Sequence, residues 1–193
     1  MVKNILLLLL GLFVLLLIMG TLFIKRVAGN EEFAELKGPP TVLAEPIANP
    51  FGTIYAVSIA DKDTIELNPG SGLAFINFWA TWCRPCISEM PTIEKLFQAY
   101  KGKMAFYIIS TDKSESKIRG FMKNRGYEFP VYRLIKTPKT DSLARKLPLT
   151  LLSYNSELHI YHSGSANWNS RAVHQLIEEL SELSEGQKAT NGS

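Results

Sequence analysis

The chain has only two cysteines in 193 residues. A secreted fold stapled by disulfides needs several, spread along the sequence, so that architecture is excluded. An excess of basic charge is also missing from the body of the chain. Of the 21 basic residues, Lys3, Lys25 and Arg26 stand in the first thirty positions, where there is no acid, and the other 18 are matched by 18 acidic residues. A near-neutral domain without a basic stripe makes no case for nucleic acid as a partner. Internal repeats and low-complexity tracts are absent as well.

From Asn4 to Ile24 the chain carries no charge and is mostly Leu, Ile, Val and Phe. At about 1.5 Å per residue this run is long enough for a bilayer core of about 30 Å. A secretory signal has a shorter apolar region, of roughly 7–15 residues, and a small-x-small cleavage site, which Val27-Ala28-Gly29 imitates weakly. Residues 1–29 are therefore expected to be a retained signal-anchor, with residues 4–24 in the membrane. Cations flank both ends, so the positive-inside rule does not fix the orientation. Residues 30–50, with Gly38-Pro39-Pro40, Pro46 and Pro50, read as a linker. A domain is expected over 51–184, and the small polar tail 185–193 is expected to be disordered.

Within the domain the periodicity alternates. Ile54–Ile59 and Thr64–Leu67 suggest a hairpin about Asp61-Lys62-Asp63. Leu73–Ala80 and Met104–Ser110 are continuous apolar runs, as expected of strands buried on both faces. Ile93, Leu96, Phe97 and Tyr100 form a helix face. Asp112 and Glu115 have capping-box spacing, which predicts a helix through Phe121. Val131–Ile135 suggests a short strand and Ser142–Lys146 a short helix. Leu149–Tyr154 and Leu158–His162 suggest a second hairpin, and Val173, Leu176, Ile177 and Leu180 a last amphipathic helix. The expected class is α/β: a mostly parallel but mixed central sheet with helices on both faces and an added N-terminal β-hairpin.

The chemistry concentrates in Phe78-Trp79-Ala80-Thr81-Trp82-Cys83-Arg84-Pro85-Cys86, between a buried strand and a helix. A Cys at a helix N-terminus meets free N–H groups and the positive end of the dipole, which favour the thiolate. Two intervening residues let the second thiol, one turn on, reach the first. Pro85 suits a first turn, where its missing N–H has no helical partner. Arg84 adds a positive charge beside Cys83. Other uses of a Cys-x-x-Cys pair remain open at this point. Half a zinc site is one, with His159 and His162 as apparent partners, although residues three apart in a strand face opposite ways. Copper(I) binding and a purely structural disulfide are the others.

The motif Trp82-Cys83-Arg84-Pro85-Cys86 resembles the Trp-Cys-x-Pro-Cys signature of thioredoxin-fold proteins. With Asn77-Phe78-Trp79-Ala80-Thr81 before it and Glu89-Met90-Pro91 after it, the segment is similar to the TlpA-like, membrane-tethered branch, which includes the ResA and CcmG type proteins of cytochrome c maturation. The resemblance covers about residues 50–184. It implies a thioredoxin fold, a redox-active pair Cys83 and Cys86, a helix kink at Pro91, a cis-proline at Leu147-Pro148 facing the dithiol, and a Gly-x-x-x-Trp ending at Gly164 and Trp168. Two positions depart from the family: Leu149 intrudes between Pro148 and Thr150, and Asn77 stands where cytoplasmic thioredoxins carry a buried Asp. Asn cannot act as a base, and Glu89, three residues after Cys86 on the same helix face, is expected to deprotonate Cys86 instead. Trp82, Arg84, Pro85, Leu147 and Pro148 are expected to form the substrate-binding surface.

The same resemblance implies a thiol–disulfide oxidoreductase without an organic cofactor or a metal. Its partners would be disulfide-containing proteins and an upstream membrane thiol reductant. The domain is expected as a monomer on the extracytoplasmic (periplasmic) side of the cytoplasmic membrane, with cytochrome c haem-site thiols among the candidate substrates. The alternative function is a non-catalytic copper or haem-assembly thiol chaperone.

Overall fold

The computed structural model describes residues 9–21, 37–67, 72–123, 125–138 and 140–191. Part of the expected anchor lies outside them. Residues 9–21 are helical, and their large apolar side chains, Leu9, Phe13, Leu16 and Met19 among them, are exposed. Among the described residues no helix is long and apolar enough to cross a membrane.

Eight strands form one sheet: β1 (Val42–Ala48), β2 (Ile54–Ser58), β3 (Thr64–Leu67), β4 (Leu73–Trp79), β5 (Ala105–Ser110), β6 (Val131–Ile135), β7 (Leu149–Tyr154) and β8 (Glu157–Ser163). Their order is β1-β8-β7-β4-β5-β6-β2-β3. Only β4–β5 and β5–β6 are parallel. The other neighbours pair antiparallel, so the sheet is mixed but not mostly parallel. Short connections account for two of these pairs, β2–β3 and β7–β8. Asn155 and Ser156, both at positive φ, turn β7 directly into β8, and a two-residue link of that kind can only reverse the chain.

The helices are α1 (Arg84–Tyr100), α2 (Glu115–Met122) and α3 (Arg171–Asn191), with a short 3-10 helix at Asp141–Arg145. β4 alternates across the sheet. Phe75 and Trp79 enter one apolar cluster with Ile93 and Leu96 of α1, Ile118 of α2 and Val173 and Ile177 of α3. Ile76 and Phe78 enter a second cluster with Leu149, Leu151 and Leu143 of the 3-10 helix. The three α-helices thus contribute to one face, and the opposite face is covered by the 3-10 helix and by the chain around Phe51. Helices lie on both faces as expected, but unequally: three α-helices on one and a single 3-10 turn on the other.

Three boundaries also differ from expectation. Residues 42–48, assigned to the linker, form an edge strand against β8 whose register shifts between Val42 and Ile47. Pro46 is tolerated there because an edge strand leaves alternate N–H groups unpaired. Asp112 does not cap α2: Ser114 occupies the N-cap position, without a side-chain cap bond. The last helix runs on to Asn191 through the expected disordered tail, where Glu185, Gln187, Lys188 and Ala189 all have good helix propensity.

Phe75 is fully buried and meets Trp168 edge-to-face with ring centroids 5.2 Å apart. Its replacement by Ala is expected to lower the unfolding free energy by about 3–5 kcal/mol, read from the urea midpoint.

Candidate active site

β4 delivers the chain to the site. After Trp79 the backbone turns through Ala80-Thr81-Trp82, and the Cys83 N–H donates to the Ala80 carbonyl (3.0 Å). Cys83 is the N-cap of α1, and its Sγ accepts from the Cys86 N–H at 3.3 Å. Cys83 and Cys86 are joined as a disulfide with Cα atoms 5.3 Å apart. Both sulfurs are nearly covered, yet Trp82 beside them is 67% exposed. Arg84 and Pro85 are exposed on the first turn, and Pro91 lies inside α1.

The turn is held from β5. The Asp112 carboxylate accepts from the Thr81 N–H (2.8 Å), the Thr81 hydroxyl (3.0 Å) and the Ser110 hydroxyl (2.8 Å). An Asp two residues past a strand end thus fastens the loop before the dithiol.

The Leu147-Pro148 bond is cis. Leu149 pairs with Phe78 in the antiparallel β4–β7 ladder, which sets the cis bond level with the end of β4, where the chain leaves for Cys83. Leu147 packs against the cluster that contains both cysteines, and Pro148 is buried. Gly164 donates its N–H to the Pro148 carbonyl (2.9 Å). A Cβ there would meet nothing, but φ is +108°, a region open to glycine and strained for other residues.

Glu89 is fully buried. Its Oε1 accepts from Asn77 Nδ2 (3.0 Å), and its Oε2 from the Ala166 N–H (3.1 Å) and Trp168 Nε1 (2.9 Å). Asn77 also donates to Thr150 Oγ1 (2.7 Å), its cross-strand neighbour on β7. Burial pushes the Glu89 carboxyl up to about 7, opposed by the bonds from Trp168, Ala166 and Asn77 and by the charge of Lys37. The carboxyl lies one helical turn beyond Cys86, poised to titrate near neutrality, and such a group can exchange a proton with a thiol.

Cys83, Cys86, Trp82, Leu147 and Pro148 therefore collect at one end of the sheet, with Glu89 buried one turn further along α1. The histidines do not join. His159 packs near the Tyr154 ring and His162 near the Trp168 ring. Among the described residues no group of three or more His, Cys, Asp or Glu is placed to hold a metal. Asp112, Thr150 and the donors around Ala166 carry no local signal in the sequence, although Trp168 is marked by the Gly-x-x-x-Trp spacing.

Two outcomes are expected. Between about pH 4.5 and 7 the folded Glu89 keeps a proton that the unfolded chain has lost. Folding stability should therefore fall as pH rises through this window, by on the order of 3 kcal/mol in all. Urea midpoints measured against pH should show that slope, and Glu89→Gln should flatten it. Asp112→Ala strands the Thr81 N–H and should lower the unfolding free energy by about 1–3 kcal/mol, measured the same way.

Comparison with known proteins agrees with this geometry. Residues 55–133 match the AhpC/TSA family. The chain is 44% identical over 80 residues to the thioredoxin-like protein YneN of Bacillus subtilis, a match covering 40% of this chain and 47% of that one, so it spans about half the length of such relatives. It is 32% identical over 134 residues to the thiol-disulfide oxidoreductase ResA of Halalkalibacterium halodurans, covering 67% of this chain and 72% of that protein. A thiol:disulfide interchange protein from Bacteroides sp. shares the fold with a TM-score of 0.58 at 17% identity, over 70% of this chain and 91% of its own. With a cysteine pair at the head of a helix, a cis-proline turn level with it and a ResA relative aligned over most of both chains, the protein belongs to the ResA-like family of thioredoxin-fold thiol–disulfide oxidoreductases.

Proposed function

We propose that this chain is an extracytoplasmic, membrane-tethered reductant of protein disulfides. The observation that carries the reading is the Cys83–Cys86 pair at the N-terminus of α1 with a buried, near-neutral carboxyl, Glu89, one turn further along the same helix. In the reduced protein, the free N–H groups of the first turn favour Cys83 as thiolate. That thiolate attacks a substrate disulfide. One substrate sulfur joins Cys83 in a mixed disulfide, and the other leaves as a thiolate and takes a proton. Cys86 then gives its proton to Glu89 and attacks Cys83 Sγ. The Cys83–Cys86 bond forms as the bond from Cys83 to the substrate breaks, the second substrate sulfur departs as a thiolate that takes a proton from water, and two electrons have passed to the substrate. An upstream thiol donor returns the pair to the dithiol form.

The protein surface around the pair suits a polypeptide substrate. Trp82 offers an exposed aromatic face, Arg84, Pro85 and Leu147 supply the rest of the rim, and Pro148 backs it from a buried position. The uncharged run over residues 4–24 and the exposed apolar side chains of the helix at 9–21 support a membrane tether. Cytochrome c haem-site thiols are the candidate substrate within this reading. A reductant dedicated to such thiols has a use only where the surroundings are oxidising.

The test is a redox titration of the full chain in detergent, in glutathione buffers, followed by tryptophan fluorescence. A single two-electron transition well below about −200 mV is expected, in the range of cellular reductants. A midpoint near the −120 mV end of the scale would make the protein an oxidant and overturn the direction proposed. If no reversible transition occurs and copper(I) binds tightly in stoichiometric amount, the chaperone reading replaces this one. Cys86→Ser should trap a mixed disulfide on Cys83, visible on non-reducing gels, whereas Cys83→Ser should trap none.

A further inference from the structure

The N-terminal segment does more than lead into the first strand. Lys37 Nζ donates to the Ser88 hydroxyl on α1, next in sequence to Glu89, and Ser88 in turn donates to the Pro85 carbonyl at 2.7 Å. The Gly38 carbonyl accepts from the Asn167 N–H at 2.9 Å. Asn167 lies between Ala166 and Trp168, the two residues that donate to Glu89 Oε2. Pro40 is buried, and the Thr41 N–H donates to His162 Nδ1 (3.3 Å), whose ring stands edge-on to Trp168. Within five residues the segment thus touches the helix that carries Glu89, the loop that donates to it and the ring behind that loop.

We infer that Lys37 is a positioning residue for the dithiol chemistry: from outside the catalytic motif it lays a cation against α1 at Ser88, the neighbour in sequence of the buried Glu89. The groups facing Glu89 from its other neighbours are neutral. β4 presents Asn77, with Thr150 of β7 behind it, and the 166–168 loop presents two N–H donors, with His162 beyond the Trp168 ring. From α1 itself comes the Cys83–Cys86 pair, with exposed Arg84 at the helix start. Lys37 is the charged group whose interaction lowers the Glu89 carboxyl, and Glu89 in return supports the Lys37 ammonium, which burial pushes down. The effect is through space and modest, because Lys37 bonds Ser88 and not the carboxylate.

The inference rests on Glu89 as proton acceptor only for its consequence; the coupling itself can be read without any turnover. Full chain labelled with 13C at glutamate Cδ, in detergent and in the oxidised form, reports the Glu89 titration directly, with Glu89→Gln identifying the resonance. Lys37→Gln is expected to move that midpoint upward by roughly half a pH unit, and Lys37→Arg to restore it. Lys37 lies on the surface side of the site, and an unchanged thermal midpoint in Lys37→Gln at acid pH confirms that the fold is kept. An unmoved carboxyl midpoint in Lys37→Gln would overturn the inference, as would an equal rise in Lys37→Arg. A separate arm monitors release of a chromogenic thiol from its mixed disulfide with Cys83 against pH. If the carboxyl midpoint moves while the release profile does not, the Lys37 coupling stands and the role of Glu89 in the reaction falls.

Discussion

A carboxylate taken out of water costs several kcal/mol unless donors replace its hydration. The Glu89 side chain is surrounded by Asn77, Ala166 and Trp168, drawn from β4 and from the loop before α3. Those bonds cross between parts of the chain that are far apart in sequence, so they form only when sheet, helix and loop are assembled together. The site is therefore also a keystone of the core. Loss of the Asn77 amide would leave Oε1 bare inside the cluster that holds Phe75, Trp79 and Trp168, whereas Oε2 has two donors. Three bonds stabilise the charged form, burial opposes it, and the balance falls close to neutral pH.

The sheet makes this possible through a simple parity. Phe75, Asn77 and Trp79 alternate on the face of β4 that α1 covers, and Thr150 and Leu152 continue that face on β7. A polar pair in adjacent strands can hydrogen-bond sideways and still present a donor upward to a helix. The apolar residues on either side exclude water from the contact. At the same sheet end, Asp112 fixes the turn that leads to the N-cap cysteine. One carboxylate on the helix thus ties it to β4 and to the 166–168 loop, and one beside its start holds the reactive turn.

Much of this is legible in the sequence, and the failures have physical reasons. The run Leu73–Ala80 reads as a buried strand, and the cysteine spacing after it suits a turn into a helix. Glu89 is marked by its distance along that helix, but the donors that bury it lie 77 and 79 positions away from it, and no local pattern marks a backbone N–H such as that of Ala166. Asp112 is misread as a helix cap because the capping rule weighs only the residues that follow it; here the side chain reaches back to Thr81 instead of forward. β1 reads as linker because Gly38-Pro39-Pro40 and Pro46 signal irregular chain, whereas an edge strand with a shifted register accepts such residues. The parallel character is overestimated because strand–helix alternation is visible locally, whereas the sheet order that places β7, β8 and β1 beside β4 is not.

The place where the chain enters the domain has one more consequence. Lys37 lies against Ser88 on the active-site helix, and the last of the described helical residues 9–21 stands about fifteen positions earlier. Even fully extended, that stretch reaches only about 50 Å. Were the uncharged run over residues 4–24 held in a bilayer, as proposed, the dithiol would be leashed by its own working side and kept in a thin shell above the lipid. A partner embedded in the same membrane would meet it at an effective concentration that can reach the millimolar range, whereas a protein free in the compartment would have to come to the surface to be reduced.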